Sequence, residues 1–240
     1  MIRDNIKLSN RLMMSVRMVT TGNTVADIGC DHAHTCIYLI KEGISPRAIA
    51  MDVRKGPLAH ADANIKLYGY EKKISIRLSD GLASLEAGET DSIIITGMGG
   101  TLTVQILENG IEKAAAAKEL ILQPQSDIGM IRCFLRKNGF VIVDEDMCIE
   151  SGKFYNSIKA VQACGNKKRE DNQLIEVYDE FGEKLLKEHH PICRQYLQVM
   201  MKKTERVIKK IMDEGSEGST DKKEFFENYL VLTKKAMGFF

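Results

Sequence analysis

The sequence has almost no net charge: 34 Lys and Arg against 33 Asp and Glu leave +1 over 240 residues. Attraction to a polyanion must therefore come from local clusters of Lys and Arg, not from the chain as a whole. Its cysteines (Cys30, Cys36, Cys133, Cys148, Cys164 and Cys193) form no C-x-x-C pair and no Cys/His cluster of zinc spacing. That pattern speaks against a metal site and for reduced thiols in a reducing compartment. No apolar run approaches the ~20 residues that a membrane helix needs, and Met1 to Lys7 lack the apolar core of a secretion signal. A G-x-G-x-x-G dinucleotide fingerprint is missing as well, which weakens the argument for NAD chemistry. The expectation left standing is a cytoplasmic protein that works with no membrane and no metal.

What is present is an alternation. Short β-rich runs at Val25–Ile28, Ala48–Met51, Ile74–Leu78, Ser92–Thr96 and Glu119–Leu122 are separated by helical stretches. Continuous apolar strands spaced by helices predict an α/β, Rossmann-like parallel sheet with helices on both faces. Phe140–Val143 and Phe154–Val161 follow with little helix between them. They predict an antiparallel finish to the sheet, similar to that of class I methyltransferases.

At Gly165-Asn166-Lys167-Lys168-Arg169 the composition turns polar and charged, so two domains are expected, 1–164 and 165–240. Beyond the link, Leu174, Tyr178, Phe181 and Leu185 recur at helical spacing, as do Leu197, Met200, Thr204, Val207 and Ile211. Gly215–Ser219 breaks the pattern; Asp221 with Glu224 then predicts a helix capped by Asp221, with Phe225, Tyr229 and Leu232 as its apolar stripe. The expected C-terminal unit is a small α-helical, coiled-coil-like hairpin. Its stripes suit packing within one chain or across two, with a monomer slightly favoured.

The chemistry sits at the strand ends. In Asp27-Ile28-Gly29-Cys30-Asp31-His32-Ala33-His34, the glycine lets a ligand approach the backbone at the carboxyl edge of the sheet. Asp31 and Ala33 stand where an acid-x-Gly-x-Gly-x-Gly loop has its further glycines. Asp31 suits the ammonium of a sulfonium amino acid and repels a pyrophosphate, so the charge favours S-adenosylmethionine over NAD. The plainer alternative is that Asp27 or Asp31 caps the next helix. His32 reads as a hydrogen-bonding pocket residue and His34 as part of the helix; two histidines without a third ligand make a poor metal site.

Asp52, closing the second strand, has the spacing at which an acid reaches both ribose hydroxyls. Asp80-Gly81, after the third, suits an adenine amino group. Three acids at the ends of successive strands converge on one crevice. Gly97-Met98-Gly99-Gly100 after the fourth strand leaves room for a flipped base, or is only a tight turn. Arg11 either holds a carboxylate in a bidentate pair or lies on a solvated helix face.

Leu8-Ser9-Asn10-Arg11-Leu12, Asp27 to Ala33, Asp80-Gly81-Leu82, Gly97 to Gly100, Gln123-Pro124 and Gly152-Lys153-Phe154-Tyr155 together resemble the bacterial tRNA adenine-N1 methyltransferases that modify adenine-22. The resemblance runs along the whole chain, departing at Asn156-Ser157, where an acid and an aliphatic residue are expected. It implies a class I methyltransferase fold, S-adenosylmethionine as donor, and a C-terminal helical domain that helps to hold tRNA.

The residues and the resemblance together place cofactor binding at Arg11, Asp27, Gly29, Asp31, His32, Asp52, Asp80, Gly81 and Gly97. They place base positioning at Gly97, Met98, Gly99 and Tyr155. RNA contact falls on Arg194, Lys202, Lys203, Arg206, Lys209 and Lys210, although a soluble coiled coil also needs charged outer positions.

The reaction itself asks for little side-chain chemistry. Adenine N1 has an in-plane lone pair, so no base must deprotonate it before it attacks a methylsulfonium. The work is alignment and accommodation of a cationic product, and the base must be unpaired or flipped. Tyr155 or Met98 can pack on that base, or merely fill the core. Two alternatives stay open: methylation of another RNA or a small molecule, and a non-catalytic RNA-binding adaptor that kept the fold.

Overall fold

The computed structural model describes residues 6–163, 174–214 and 219–240. Cys164, the expected link at Gly165–Arg169 and residues 215–218 of the expected break lie outside them. The chain divides into two compact units, Met1–Lys167 and Lys168–Phe240.

In the first unit the β-branched runs form five parallel strands: β1 (Val25–Ile28), β2 (Ala48–Asp52), β3 (Ile74–Leu78), β4 (Ser92–Thr96) and β5 (Glu119–Gln123). Helix α1 (Asn10–Arg17) precedes them. Between them run α2 (His34–Lys41), α3 (Lys55–Tyr68), α4 (Gly100–Asn109) and α5 (Ile111–Ala116), with α6 (Ile128–Lys137) after β5. Alternating residues of β1, β2, β4 and β5 serve two cores, while β3, at the edge of the sheet, buries only Ile74. Val25, Ala48, Ala50 and Ile94 meet α1, α2 and α3 on one face. Ala26, Ile28, Met51, Ile93 and Ile95 meet α4, α5 and α6 on the other. Burial on both sides is why β1, β2, β4 and β5 read as largely apolar runs.

The sheet finishes with β6 (Phe140–Glu150) and β7 (Lys153–Gln162), giving the order β3-β2-β1-β4-β5-β7-β6 with β7 antiparallel to both its neighbours. Both strands outrun the expected Phe140–Val143 and Phe154–Val161. Ser151 and Gly152 join them, both in the left-handed region (φ 49° and 75°), as a two-residue hairpin turn requires. A bulge between Ile142 and Asp144 shifts the register and turns Glu145 inward. There it pairs with the buried Arg132 of α6 at 2.7 Å. The acidic run Asp144-Glu145-Asp146 therefore belongs to a strand and not to a loop.

β1 pairs with β2 on one side and β4 on the other, Asp27 lying between Ala50 and Ile94. The chain winds outward from β1 in both directions, so a cleft opens where β1 and β4 end.

The second unit holds α7 (Ile175–Phe181), α8 (Glu183–Lys187), α9 (Pro191–Glu214) and α10 (Ser219–Met237). The stripe through Tyr178 and Leu185 is broken at Gly182 (φ 88°) into two short helices. α9 and α10 pack along one another, which four intervening residues make antiparallel. α10 starts at Ser219, so Asp221 sits in its first turn and not at its cap. Its inward stripe runs through Phe226, Tyr229, Thr233 and Ala236, leaving Phe225 64% exposed. Of the expected stripe, Tyr229 and Leu232 are half-buried and only Phe225 turns outward, its place taken by Phe226. Among the described residues no helix is long and apolar enough to cross a membrane.

Candidate functional site

The loop after β1 sets the geometry. Gly29, Asp31 and Ala33 all have left-handed backbones (φ 74°, 46° and 56°). This alternate-residue pattern is the one that a glycine-x-glycine-x-glycine loop supplies without strain. Here Asp31 and Ala33 adopt it at a cost of roughly 1–2 kcal/mol each. The loop is anchored by Gly29 and Cys30, whose amides donate to the Met51 carbonyl at 2.8 and 3.0 Å. Ala33 occupies the position before α2 and no side chain caps that helix, so neither Asp27 nor Asp31 is a helix cap.

The loop borders a crevice of about 530 Å³ at the carboxyl ends of β1 to β4. All nine residues expected at the cofactor line it, and Met98 does too. Asp27 is buried, and its Oδ2 accepts a hydrogen bond from the Cys36 thiol at 3.8 Å. Burial pushes its carboxyl up to about 7, the Cys36 bond opposing and the nearby Asp52 adding to the rise. Asp52 is buried as well; its Oδ1 accepts from the Arg54 amide at 2.9 Å, with Arg54 Nε 3.7 Å away.

Asp80 is exposed at the rim. Beside it the Ser79 hydroxyl donates to the Gly81 carbonyl and accepts from the Ser84 amide, folding the loop after β3. Gly81 (φ 52°) faces Ile106, which a Cβ would meet at 3.0 Å.

After β4, Gly97 (φ 76°) donates to the Gln123 carbonyl at 3.0 Å. Gly100 has a different reason to be glycine: a Cβ there would come within 2.6 Å of the Ser126 and Asp127 carbonyl oxygens. Gly99 precedes α4 and, unlike Gly97 and Met98, is not part of the crevice wall. Met98 packs partly into the core, and its terminal methyl fills the space beside Gly29 that a side chain would take.

Arg11 is clamped, not solvated. Its Nη1 donates to Gln123 Oε1 at 3.0 Å, its Nε lies 3.7 Å from Glu150, and its guanidinium sits 5.9 Å above the Tyr155 ring. Glu150 also accepts from the Asn10 amide at 2.7 Å. Tyr155 therefore supports Arg11 and does not reach the crevice wall. The departure at Asn156-Ser157 falls where α1 docks: both are buried, and the Ser157 hydroxyl donates to Ser15 Oγ at 3.0 Å.

Sequence reading missed Val53, Arg54, Leu102, Ile106 and Gln125 in the crevice wall. Val53 and Arg54 follow directly on Asp52, and Leu102 and Ile106 lie one helical turn apart on α4, so strand-end and i+4 spacing held a signal for four of them. It also missed His60. The imidazole of His32 stacks on that of His34 (centroids 5.4 Å apart) and on that of His60 (5.3 Å). Burial and the neighbouring His32 lower the His34 imidazole from its ordinary value, with Asp31 opposing. Among the described residues no cluster of His, Cys, Asp or Glu is arranged to hold a metal ion.

In the second unit Arg194, Lys202, Lys203, Arg206, Lys209 and Lys210 are all exposed along α9, on the side away from the buried Leu197 and Thr204.

The crevice suits an adenosyl amino acid. The missing Cβ atoms at Gly29 and Gly81 let Met98 and Ile106 close in as its wall, and Gly97 adds no side chain to it. Asp27 and Asp52 supply buried carboxylates, and Leu102 and Ile106 supply apolar wall. Residues 8–158 match a family described as a methyltransferase domain. The chain is 37% identical over 157 residues to the tRNA (adenine(22)-N(1))-methyltransferase of Bacillus subtilis, a stretch covering 65% of this chain and 66% of that one. The solved structure of the Bacillus subtilis m1A22 tRNA methyltransferase TrmK superposes with a TM-score of 0.87 at 29% identity, over 97% of this chain and 100% of that one. Streptococcus pneumoniae Sp1610, solved in complex with S-adenosyl-L-methionine, does so with a TM-score of 0.81 at 31% identity, over 96% and 100%.

Proposed function

The chain belongs to the methyltransferase-domain family, and on that premise we propose that it transfers a methyl group from S-adenosylmethionine to N1 of adenine-22 in tRNA. The observation that carries the reading is the convergence of Asp27, Gly29, Asp52, Asp80 and Gly97, from the ends of β1 to β4, on one crevice. The similarity to the Bacillus subtilis enzyme and to the cofactor-bound Sp1610 supports it.

When bound, S-adenosylmethionine supplies an electrophilic methyl on a sulfonium. Asp52 would accept hydrogen bonds from the ribose hydroxyls, Asp80 would accept from the adenine amino group, and Asp27 and Asp31 would face the cationic amino-acid end. Arg11, already held by Gln123 and Glu150, would present its remaining donors to the carboxylate. No side chain has to remove a proton from the attacking N1, which agrees with a crevice without a nucleophile–base pair. Residues 1–164 carry this chemistry, and 165–240 hold the tRNA through the α9 cations. The reaction takes place in the cytoplasm, where the free cysteines stay reduced.

The test is transfer from labelled S-adenosylmethionine to unmodified tRNA followed by nucleoside analysis. N1-methyladenosine that disappears with Asp27→Ala and Asp80→Ala is the expected result. Cofactor binding without labelled tRNA would move the reading to another acceptor, and absence of cofactor binding would overturn it.

A further inference from the structure

Three imidazoles form a column at the mouth of the crevice. His32 lies between His34, inclined by 23°, and His60, inclined by 14°. His32 and His34 belong to the crevice wall; His60, projecting from α3, does not. His34 and His60 are exposed, so the column is not core packing. Nor does it suit a metal: imidazole lone pairs lie in the ring planes, and near-parallel planes send them side by side instead of toward one ion.

His34 is the ring for which burial and the neighbouring His32 work against protonation. Around the column, the Asp31 carboxylate lies 3.5 Å from His32 Nε2, and Asp62 is engaged by Lys66 at 2.6 Å. Arg54, 72% exposed, and Lys55 stand at the start of α3. The surface is thus an exposed aromatic face with one carboxylate, Asp31, against its middle ring.

We propose that the His34–His32–His60 column is a stacking platform for an unpaired nucleobase of the substrate RNA, with His60 as its outer layer. The proposal deepens the tRNA reading and rests on it. An adenine whose N1 attacks the methyl must leave its base pair, and the bases next to it lose a stacking neighbour. An exposed ring replaces that neighbour whatever the base, because every base has a π-face.

The test compares His60→Ala and His60→Phe with the unsubstituted full-length chain. It reads KM and equilibrium affinity for unmodified tRNA, and S-adenosylmethionine affinity by calorimetry. His60→Ala is expected to weaken tRNA binding and raise its KM by roughly five- to a hundredfold, with cofactor affinity unchanged, and His60→Phe to restore both. Unchanged tRNA parameters in His60→Ala overturn the platform. So does His60→Phe behaving like His60→Ala, which would assign the effect to charge, and so does a parallel loss of cofactor binding, which would make His60 structural. If the unsubstituted chain methylates no tRNA, the functional reading falls and the platform with it; if it does and His60→Ala is silent, the platform falls alone.

Discussion

The crevice and helix α9 handle charge in opposite ways. In the crevice, three ionisable groups are individually fixed: Asp27 and Asp52 are buried, and Arg11 is held by Gln123, Glu150 and Tyr155. Along α9 six cations stand exposed on one side of a helix. Recognition in the first region depends on where each atom is. In the second it depends on how many charges there are, since counterion release counts phosphates neutralised and not exact positions. Single substitutions should therefore be severe and specific in the crevice, mild and cumulative on α9.

The largest effect is expected from Asp52→Ala. Removing this carboxylate should lower kcat/KM for methyl transfer by about a hundredfold or more while tRNA affinity stays unchanged; an equal loss of tRNA affinity would erase the distinction between the two regions. Next comes Gly100→Ala, whose Cβ would push against the Ser126 and Asp127 carbonyl oxygens and the Asp127 Cβ. It should destabilise the protein by about 1–3 kcal/mol in thermal or urea unfolding, whereas Gly56→Ala, with open space around its Cβ position, should not.

Asp27 gives the comparison a pH axis. In the free protein its carboxyl stays neutral up to about 7, and a cationic ligand favours the ionised form. S-adenosylmethionine affinity should thus rise about tenfold between roughly pH 6 and 8, and Asp27→Asn should bind weakly with a flat profile. The stability sign is the reverse. The folded value lies above the unfolded one, so the contribution of Asp27 to stability is full in acid and is lost as pH rises through about 7. Asp27→Asn should accordingly flatten the loss of stability with rising pH, read from melting temperatures.

The smallest single effects belong to α9. Lys202→Ala, Arg206→Ala and Lys209→Ala should each weaken tRNA binding only about two- to fourfold and lower the salt slope by about one, leaving cofactor affinity untouched. A hundredfold loss from any one of them would mean a geometric contact.

What the sequence made legible followed from local rules. β1 to β5 are apolar runs that stop at Gly29, Asp52, Ser79, Gly97 and Pro124, and a strand end is where this fold places its ligand. Features depending on register or on distant partners were hidden. β6 looked like a short strand because the bulge before Asp144 reverses its alternation and Glu145 is buried only by virtue of Arg132. Arg11 was legible as a carboxylate binder, but the clamp that holds it was hidden because its partners lie more than 100 positions away. His60 carries no motif, and only the folding of α3 against the loop after β1 brings it to His32. In α10 the sequence offered adjacent phenylalanines, and only packing decides that Phe226 turns inward and Phe225 outward.

The central claim is that one crevice delivers a methyl group to a single adenine of tRNA. The most direct measurement supplies the purified protein with labelled S-adenosylmethionine and two tRNA transcripts identical except for adenine or guanine at position 22. Label on the adenine transcript alone, recovered as N1-methyladenosine, is the predicted result. Equal label on both transcripts, or none on either from a protein that binds the cofactor, would contradict it.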